Sequence, residues 1–441
     1  MTYTEAVRWL NALIDYEKAP DFRYPEVFKL DRVRALMSAL DNPERAWRSI
    51  HIAGTKGKGT VATFVDALLR AHGCRTGLYT SPHLVSFRER VRIDGACVGE
   101  DAFTDSMNRL VPHAERWQAE HDDERLSFFD VLTAVGFDAF RAAAVEWGVV
   151  EVGMGGRLDA TNVITPRVAQ ITPIALEHTK YLGDMIEAIA REKAGVMKSG
   201  VPVLIQRQLP EVESVLLEHA AEVGAIPYRI DDAMSITDSG DGAAWTLRVT
   251  APSNSPVVSY EKLTFGALGD HQRRNFAAAV VVLHLAGVPL DPDRVRDVAA
   301  TTTIPGRLQL IPETPPILLD VAHTPDSARM LVDVIRNRFP GRRTTLVFSC
   351  AQDKRVAEIA EILASVAERV VLVPIPGIRA MPMEDMAVAW KAVHPFVTTS
   401  TSTRDAIENA RDTTPNHGLI VVTGSFVLIG AAMEALGMHP V

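Results

Sequence analysis

The chain is 441 residues long, more than one hydrophobic core usually holds, so two globular domains are expected. Hydrophobic residues make up 47% and charged residues 23%, with no run of about 18 apolar residues to cross a bilayer, and the net charge of −9 gives no general attraction to nucleic acid. Glu5, Asp15 and Glu17 interrupt the layout a signal peptide needs, and Cys74, Cys97 and Cys350 suit neither a disulfide framework nor a zinc site, so a reducing, cytoplasmic setting is expected.

Residues 1–47 read as helical, with one apolar stripe at Val7, Leu10, Leu13 and Ile14 and another at Leu30, Val33, Leu36 and Met37. The stretch 48–69, RSIHIAGTKGKGTVATFVDALL, then reads as strand, glycine-rich turn and helix. Gly54, Gly57 and Gly59 allow close backbone approach, and N–H groups at the helix start would face an anion with Lys58 over its outer charge. This is not a strict Walker A motif: Ile52 stands where its first glycine would be, and Gly59 separates Lys58 from Thr60. A glycine-rich turn with no ligand is the plainer alternative.

The run 75–86, RTGLYTSPHLVS, is β-prone and broken by Pro82, which puts Thr80, Ser81 and His83 at a strand end. If Arg88, Arg90 and Arg92 lie on a strand they share a face, read as a solvated edge or an anion contact. Residues 101–145 read as two helices, the second opened by Ser127, Phe128 and Phe129; the two rings suit the core, or a flat aromatic substrate. Glu151 ends the β-rich run 147–152 before the turn 153–156, a place that suits Mg²⁺ on nucleotide phosphates. Arg157 and Asp159 follow, to contact substrate or to pair with each other.

The stretch 168–176 reads as a strand ending in Glu177 and His178, a histidine equally suited to a structural or a metal-ligating place. In the helix that follows, the apolar stripe runs through Leu182, Met185 or Ile186, Ile189, Lys193, Val196 and Met197. Lys193 therefore points inward, where an unpaired ammonium is costly. It must be paired, neutral or chemically changed, for instance carbamylated by CO₂ to a carboxylate; a snorkelling lysine is the alternative. Residues 231–265 read as a peripheral hairpin, with strands at 244–250 and 257–265. The helix 271–285 opens with His271, Gln272 and Asn275 on one face, and 301–307 is the candidate linker. Beyond it a compact β/α alternation restarts, with strands at 317–321, 345–350, 370–374 and 419–423 followed by Asp320 and His323, Asp353 and Lys354, and Ser425. Arg336, Arg338, Arg342 and Arg343 read as a solvated helix end.

The fold class is α/β, and the likeness carried by the motifs that follow implies a P-loop-type, mostly parallel-sheet ATPase domain followed by a smaller Rossmann-like α/β domain. In this order AGTKGKGT (53–60), LYTSPHL (78–84), SFFDVLT (127–133), EVGMGGRLDATN (151–162), LEHTKYLG (176–183), REKAGVMK (191–198), GDHQRRN (269–275), PGRLQ (305–309), LDVAHTPDS (319–327) and VTGS (422–425) span nearly the whole chain. The sequence resembles the folylpolyglutamate synthase and dihydrofolate synthase family, the folate branch of the Mur ligases. The resemblance implies an ATP-binding domain over 1–302 and a glutamate-ligase domain over 303–441. It further implies an ATP-dependent ligase joining L-glutamate to the carboxylate of dihydropteroate or a reduced folate.

By this likeness Gly54, Thr55, Gly57, Lys58, Gly59 and Thr60 hold the phosphates, with Asn275, Arg307 and Asp320 as further nucleotide contacts. Ser81, Glu151 and His178 bind Mg²⁺ as part of a two-ion site, a monovalent cation accompanies them in the family pattern, and Lys193 is the carbamylated lysine. Lys58, Lys193 and His323 carry the catalysis, His323 and Ser425 stand on the glutamate side, and His83, Phe128, Phe129, Arg157 and Asp159 hold the pterin substrate. A monomer that binds neither nucleic acid nor membrane is implied. Lys56, Thr60, Asp130, Glu177, Val321 and Thr324 depart from the usual bacterial pattern, which bears on the choice of pterin. The rival readings are a Mur-type ligase acting on another carboxylate and an inactive ATP-binding protein on the same fold.

Overall fold

The computed structural model describes residues 1–16, 27–121, 124–177, 179–239, 244–252, 256–266 and 268–438, with Lys180 described by its backbone alone. Eight strands form the first sheet: β1 (Arg48–Ala53), β2 (Thr76–Tyr79), β3 (Val91–Ile93), β4 (Ala96–Cys97), β5 (Trp147–Glu151), β6 (Val168–Ile171), β7 (Pro202–Ile205) and β8 (Ile226–Arg229). Their order is β4-β3-β2-β5-β1-β6-β7-β8. All pairings from β2 to β8 are parallel, and the β3–β4 hairpin adds an antiparallel edge. Both faces of the parallel strands are covered, so β1 and β5 are buried almost throughout, as their near-continuous apolar runs require.

β1 lies between β5 and β6, so the chain leaves its carboxyl end at the point where the strand order reverses. Open parallel sheets leave a crevice there because the two crossover connections depart in opposite directions. The Lys58–Ala71 helix rises from this point and buries Val61, Phe64, Val65, Leu68 and Leu69 completely. At about 2 kcal/mol per fully buried apolar side chain, that packing outweighs the roughly 1 kcal/mol lost by placing Gly59 in its first turn.

A second, three-stranded antiparallel sheet comprises β9 (Met234–Asp238), β10 (Trp245–Val249) and β11 (Val258–Leu263). The sequence suggested a peripheral hairpin, and the structure corrects this. Trp245, Leu247, Val249, Tyr260 and Leu263 enter the same core as Phe64 and the Asp270–Leu285 helix, because alternation gives the sheet one apolar face which those helices cover.

The third sheet has the order β12-β13-β17-β14-β15-β16. Its strands are β12 (Gln309–Ile311), β13 (Ile317–Asp320), β14 (Thr344–Phe348), β15 (Arg369–Leu372), β16 (Val397–Thr399) and β17 (Leu419–Thr423). Only the short edge strand β12 runs antiparallel. Short edge strands such as β12 and β16 carry too little apolar pattern to be found by periodicity.

Three further expectations change. β6 ends at Ile171 rather than 176, since Thr172 N still donates to Ala53 O (2.8 Å) but Pro173 has no N–H to continue the ladder. Phe87–Arg90 is a short 3₁₀ turn capped by Ser86 and Glu89, so Arg88, Arg90 and Arg92 do not alternate on a strand. The Pro292–Thr301 helix extends into the first residue of the candidate linker. Arg336, Arg338, Arg342 and Arg343 are exposed, as expected. Among the described residues no helix is long and apolar enough to cross a membrane.

Candidate active site

The turn after β1 is held from behind. Thr55 N and Lys56 N both donate to Pro173 O (3.1 and 3.0 Å), and Thr55 Oγ1 donates to Ala175 O (3.2 Å). Gly54 has φ +137°, and a Cβ there would lie 2.0 Å from Thr172 Oγ1, so no other residue fits. Gly57, at φ +85°, starts the helix, whose first internal bond runs from Val61 N to Gly57 O (2.9 Å). The N–H groups of residues 57–60 are therefore left without helical acceptors, and with the helix dipole behind them they form an anion cradle. Lys58 sits at its mouth, half-buried.

Glu151 ends β5 beside this cradle. It is 4% exposed and its Oε2 accepts from Ser81 N (3.1 Å), while a Cβ on Gly59 would stand 3.1 Å from the same oxygen. Burial raises the carboxyl above its ordinary range, and the ammonium of Lys58 pulls it back. A buried carboxylate facing an anion cradle, with one backbone hydrogen bond to Oε2, is chemically suited to a hard divalent cation.

Lys193 confirms the inward-pointing reading: it is 3% exposed, and its Nζ donates to Gly54 O at 2.7 Å. The stripe that carries it uses Ile186 rather than Met185, which is 61% exposed. Among the described residues no carboxylate lies within ion-pair distance of Nζ. Burial, helped by the charge of Lys58, lowers its pKa to about 7, so at neutral pH a large share of the amine is uncharged. A lysine lowered in the folded state binds fewer protons than in the unfolded chain between about pH 7 and its ordinary value. Over that window raising the pH stabilises the fold, by roughly 1 kcal/mol per pH unit. In CO₂-free buffer, where the amine stays free, urea unfolding at pH 7 and pH 9 should therefore show a larger gain for the wild type than for Lys193→Met, and equal gains would refute the buried-amine assignment.

The third sheet brings its own residues to the same place. Arg307 and Lys56 both act on His323, and Arg307 also acts on Glu151, Asp320 and His271, which puts the guanidinium at the meeting of the two larger sheets. Arg307 lies 5.1 Å over the ring of Phe426. Asp320 is 9% exposed, and its two oxygens accept from Leu308 N and Ala322 N (both 2.8 Å), tying together the loops that carry Arg307 and His323. His323 Nδ1–H donates to Val321 O (2.8 Å), which leaves Nε2 as an acceptor; burial holds the ring neutral, with a pKa of about 4. Ser425 caps the Phe426–Ala435 helix, its Oγ accepting from Leu428 N. Asn275 stands against the cradle: its carboxamide lies 3.1 Å from where a Cβ on Gly57 would be.

The remaining candidates divide. Phe129 lies over Gly153, whose Cβ would meet the ring at 2.6 Å, and Phe128 is buried at 3% beneath Arg90, whose guanidinium lies 5.6 Å from its ring. His83 Nδ1 accepts from Arg90 Nε (2.9 Å). Arg157 is exposed and paired with Glu192 (2.7 Å) rather than with Asp159. Asp159 does not pair with Arg157: it is 1% exposed and caps its own loop, accepting from Met154 N and Thr161 N. His178 lies outside the described residues. Arg90 was missed as a site residue, because its 2% exposure depends on the 3₁₀ turn and no periodicity in the sequence marks it. Lys354, in the loop six residues beyond β14, also acts on His323, and its place after a strand was the available signal.

The comparisons agree with this geometry. A family model described as "Mur ligase, glutamate ligase domain" matches residues 306–426. The folylpolyglutamate synthase of Lacticaseibacillus casei is 34% identical over 441 residues, covering 99% of each chain. The structure of Escherichia coli FolC in complex with DHPP and ADP aligns with a TM-score of 0.85 at 28% identity, over 99% of this chain and 98% of that one. The bifunctional folylpolyglutamate synthase/dihydrofolate synthase of Yersinia pestis, complexed with AMPPNP and Mn ion, aligns with a TM-score of 0.83 at 29% identity, over 99% and 96%. A strand-turn-helix anion cradle, a buried carboxylate beside it, a buried lysine behind it and this end-to-end likeness lead to one conclusion: the chain belongs to the folylpolyglutamate synthase/dihydrofolate synthase family.

Proposed function

We propose that this protein is an ATP-dependent ligase that joins the amine of L-glutamate to the carboxylate of dihydropteroate, of a reduced folate, or of both. The observation that carries the reading is the set of free N–H groups at residues 57–60 beside the buried Glu151 carboxylate. A carboxylate is a poor electrophile. Its oxygen attacks the terminal phosphorus of ATP, ADP leaves, and an acyl phosphate results; the glutamate amine then adds to the acyl carbon, the nitrogen gives up one proton to solvent, and phosphate departs with the C–O electrons to leave the amide.

In this reading Gly54, Thr55, Gly57, Lys58, Gly59 and Thr60 hold the phosphates, while Asn275 and Arg307 complete the nucleotide contacts. Asp320 acts by orienting the Arg307 loop. Glu151, Ser81 and His178 would hold Mg²⁺, which when bound screens the phosphate charge. His323 presents Nε2 to the incoming amine, with Ser425 nearby on the adjacent strand end. His83, Phe128 and Phe129 form the pterin side, with Arg157 at its exposed margin. Residues 1–302 and 303–441 act as two lobes that close on the substrates. Lys193, deprotonated, adds to CO₂ with loss of one proton, and the resulting carbamate is a second anion behind the cradle, suited to a second ion.

Phosphate release from Mg-ATP and L-glutamate, measured in parallel with dihydropteroate and with tetrahydrofolate, tests the proposal. Release is expected with at least one acceptor and only when glutamate is present. Release with dihydropteroate alone identifies a dihydrofolate synthase, with both a bifunctional enzyme, and with neither the proposal falls.

A further inference from the structure

The phosphate cradle is not self-supporting. Its first half hangs on carbonyls of the segment that follows β6, through Pro173 O and Ala175 O. That segment leaves the sheet after Thr172, since Pro173 cannot continue the ladder, so something else must fix it. The carboxamide of Gln208, three residues beyond the end of β7, does so at both ends: its Nε2 donates to Thr172 O (3.1 Å) and its Oε1 accepts from Ile174 N (2.9 Å). The two bonds bracket Pro173, the residue whose carbonyl receives Thr55 N and Lys56 N.

The surroundings offer no substitute. Of the twelve buried side-chain nitrogen and oxygen atoms without a partner among the described residues, four belong to Gln170, Thr172 and Gln206, on and just beyond β6 and β7. These groups lie next to the segment, and none of them bonds to its backbone. Among the described residues, Gln208 and Thr55 are the side chains that do.

We infer that Gln208 is a positioning residue for nucleotide binding: it never touches ATP, and it sets the 172–175 segment against which the phosphate cradle is hung. The inference rests on the reading of residues 54–60 as the phosphate site. A cradle displaced by even a fraction of an ångström loses the alignment of its N–H groups with the phosphates, so the loss falls on ATP and not on glutamate or the pterin acceptor.

The test compares Gln208→Met, which removes both bonds at similar volume, with Gln208→Glu, which keeps the acceptor for Ile174 N and loses the donor to Thr172 O. Arg207→Ala serves as the neighbouring control, since it removes only an exposed ion pair with Asp231. Steady-state constants are measured for all three substrates, with melting temperatures alongside. Gln208→Met is expected to raise KM for ATP about tenfold and leave KM for glutamate within about twofold, Gln208→Glu to raise KM for ATP at least as far because its second oxygen faces Thr172 O, and Arg207→Ala to change neither. A lowered melting temperature with unchanged KM for ATP would mean a purely structural glutamine and overturn the inference, as would equal rises for every substrate. Lys58→Ala in the same assay separates the two levels: if it retains activity the phosphate-site reading fails, whereas if it is inactive and Gln208→Met binds ATP normally, only the role of Gln208 fails.

Discussion

Lys58→Ala is expected to keep the fold and to lose turnover by about 10² or more. Among the described residues Lys58 makes no hydrogen bond or ion pair, and it stands half-buried on the first turn of its helix, where alanine is at least as good a helix former. Its removal therefore costs no internal contact, and it relieves the lowering effect on Lys193. What it removes is a cation poised at the cradle mouth, where negative charge gathers as a phosphoryl group passes to the acceptor carboxylate. Loss of one such contact costs on the order of 3 kcal/mol of barrier. Circular dichroism and melting temperature should match the wild type while phosphate release collapses. Near wild-type release would sink the assignment of the cradle.

The second large effect is expected at Lys193. Alanine there should abolish most turnover, by about 10²-fold, and short carboxylates such as formate or acetate should restore part of it. The reasoning combines burial with acidity: an amine 3% exposed and lowered to about 7 is nucleophilic toward CO₂ at neutral pH, where an ordinary lysine is not. In the structure the free amine spends itself on Gly54 O, directly under the cradle, so a carboxylate formed there would stand close to the bound ion. Incubation with ¹³C-labelled CO₂ should give a carbamate signal in the wild type that Lys193→Ala lacks. Intact activity in the alanine variant, with no gain from added carboxylate, would exclude the carbamate.

Local features of the chain were legible without coordinates. The strand, turn and helix over 48–69 are contiguous, so their glycines and apolar spacing announce the cradle directly, and Lys193 betrayed its burial by falling on its own helix's apolar stripe. The strand-end positions of Glu151 and His323 were readable for the same reason: a short apolar run followed by a polar residue and glycines or a proline. Family motifs added roles to those positions.

Long-range pairing was not legible. The meander over 234–263 looked peripheral because its alternating pattern does not say which helices will cover it, and Arg90 looked solvated because its partner His83 and the ring of Phe128 reach it only through the fold. By sequence Asp159 could contact substrate or pair with Arg157, and only the turn of the backbone around it shows both oxygens in use within its own loop. Gln208 lies 154 positions from Gly54, and nothing in its neighbourhood in the chain marks it out. The sequence by itself determined the chemistry that is carried within single segments, because periodicity and turn residues act over a few positions. Which segments meet, and which side chains are used up in holding them, was decided by the tertiary structure, because those contacts depend on how the sheets and helices pack.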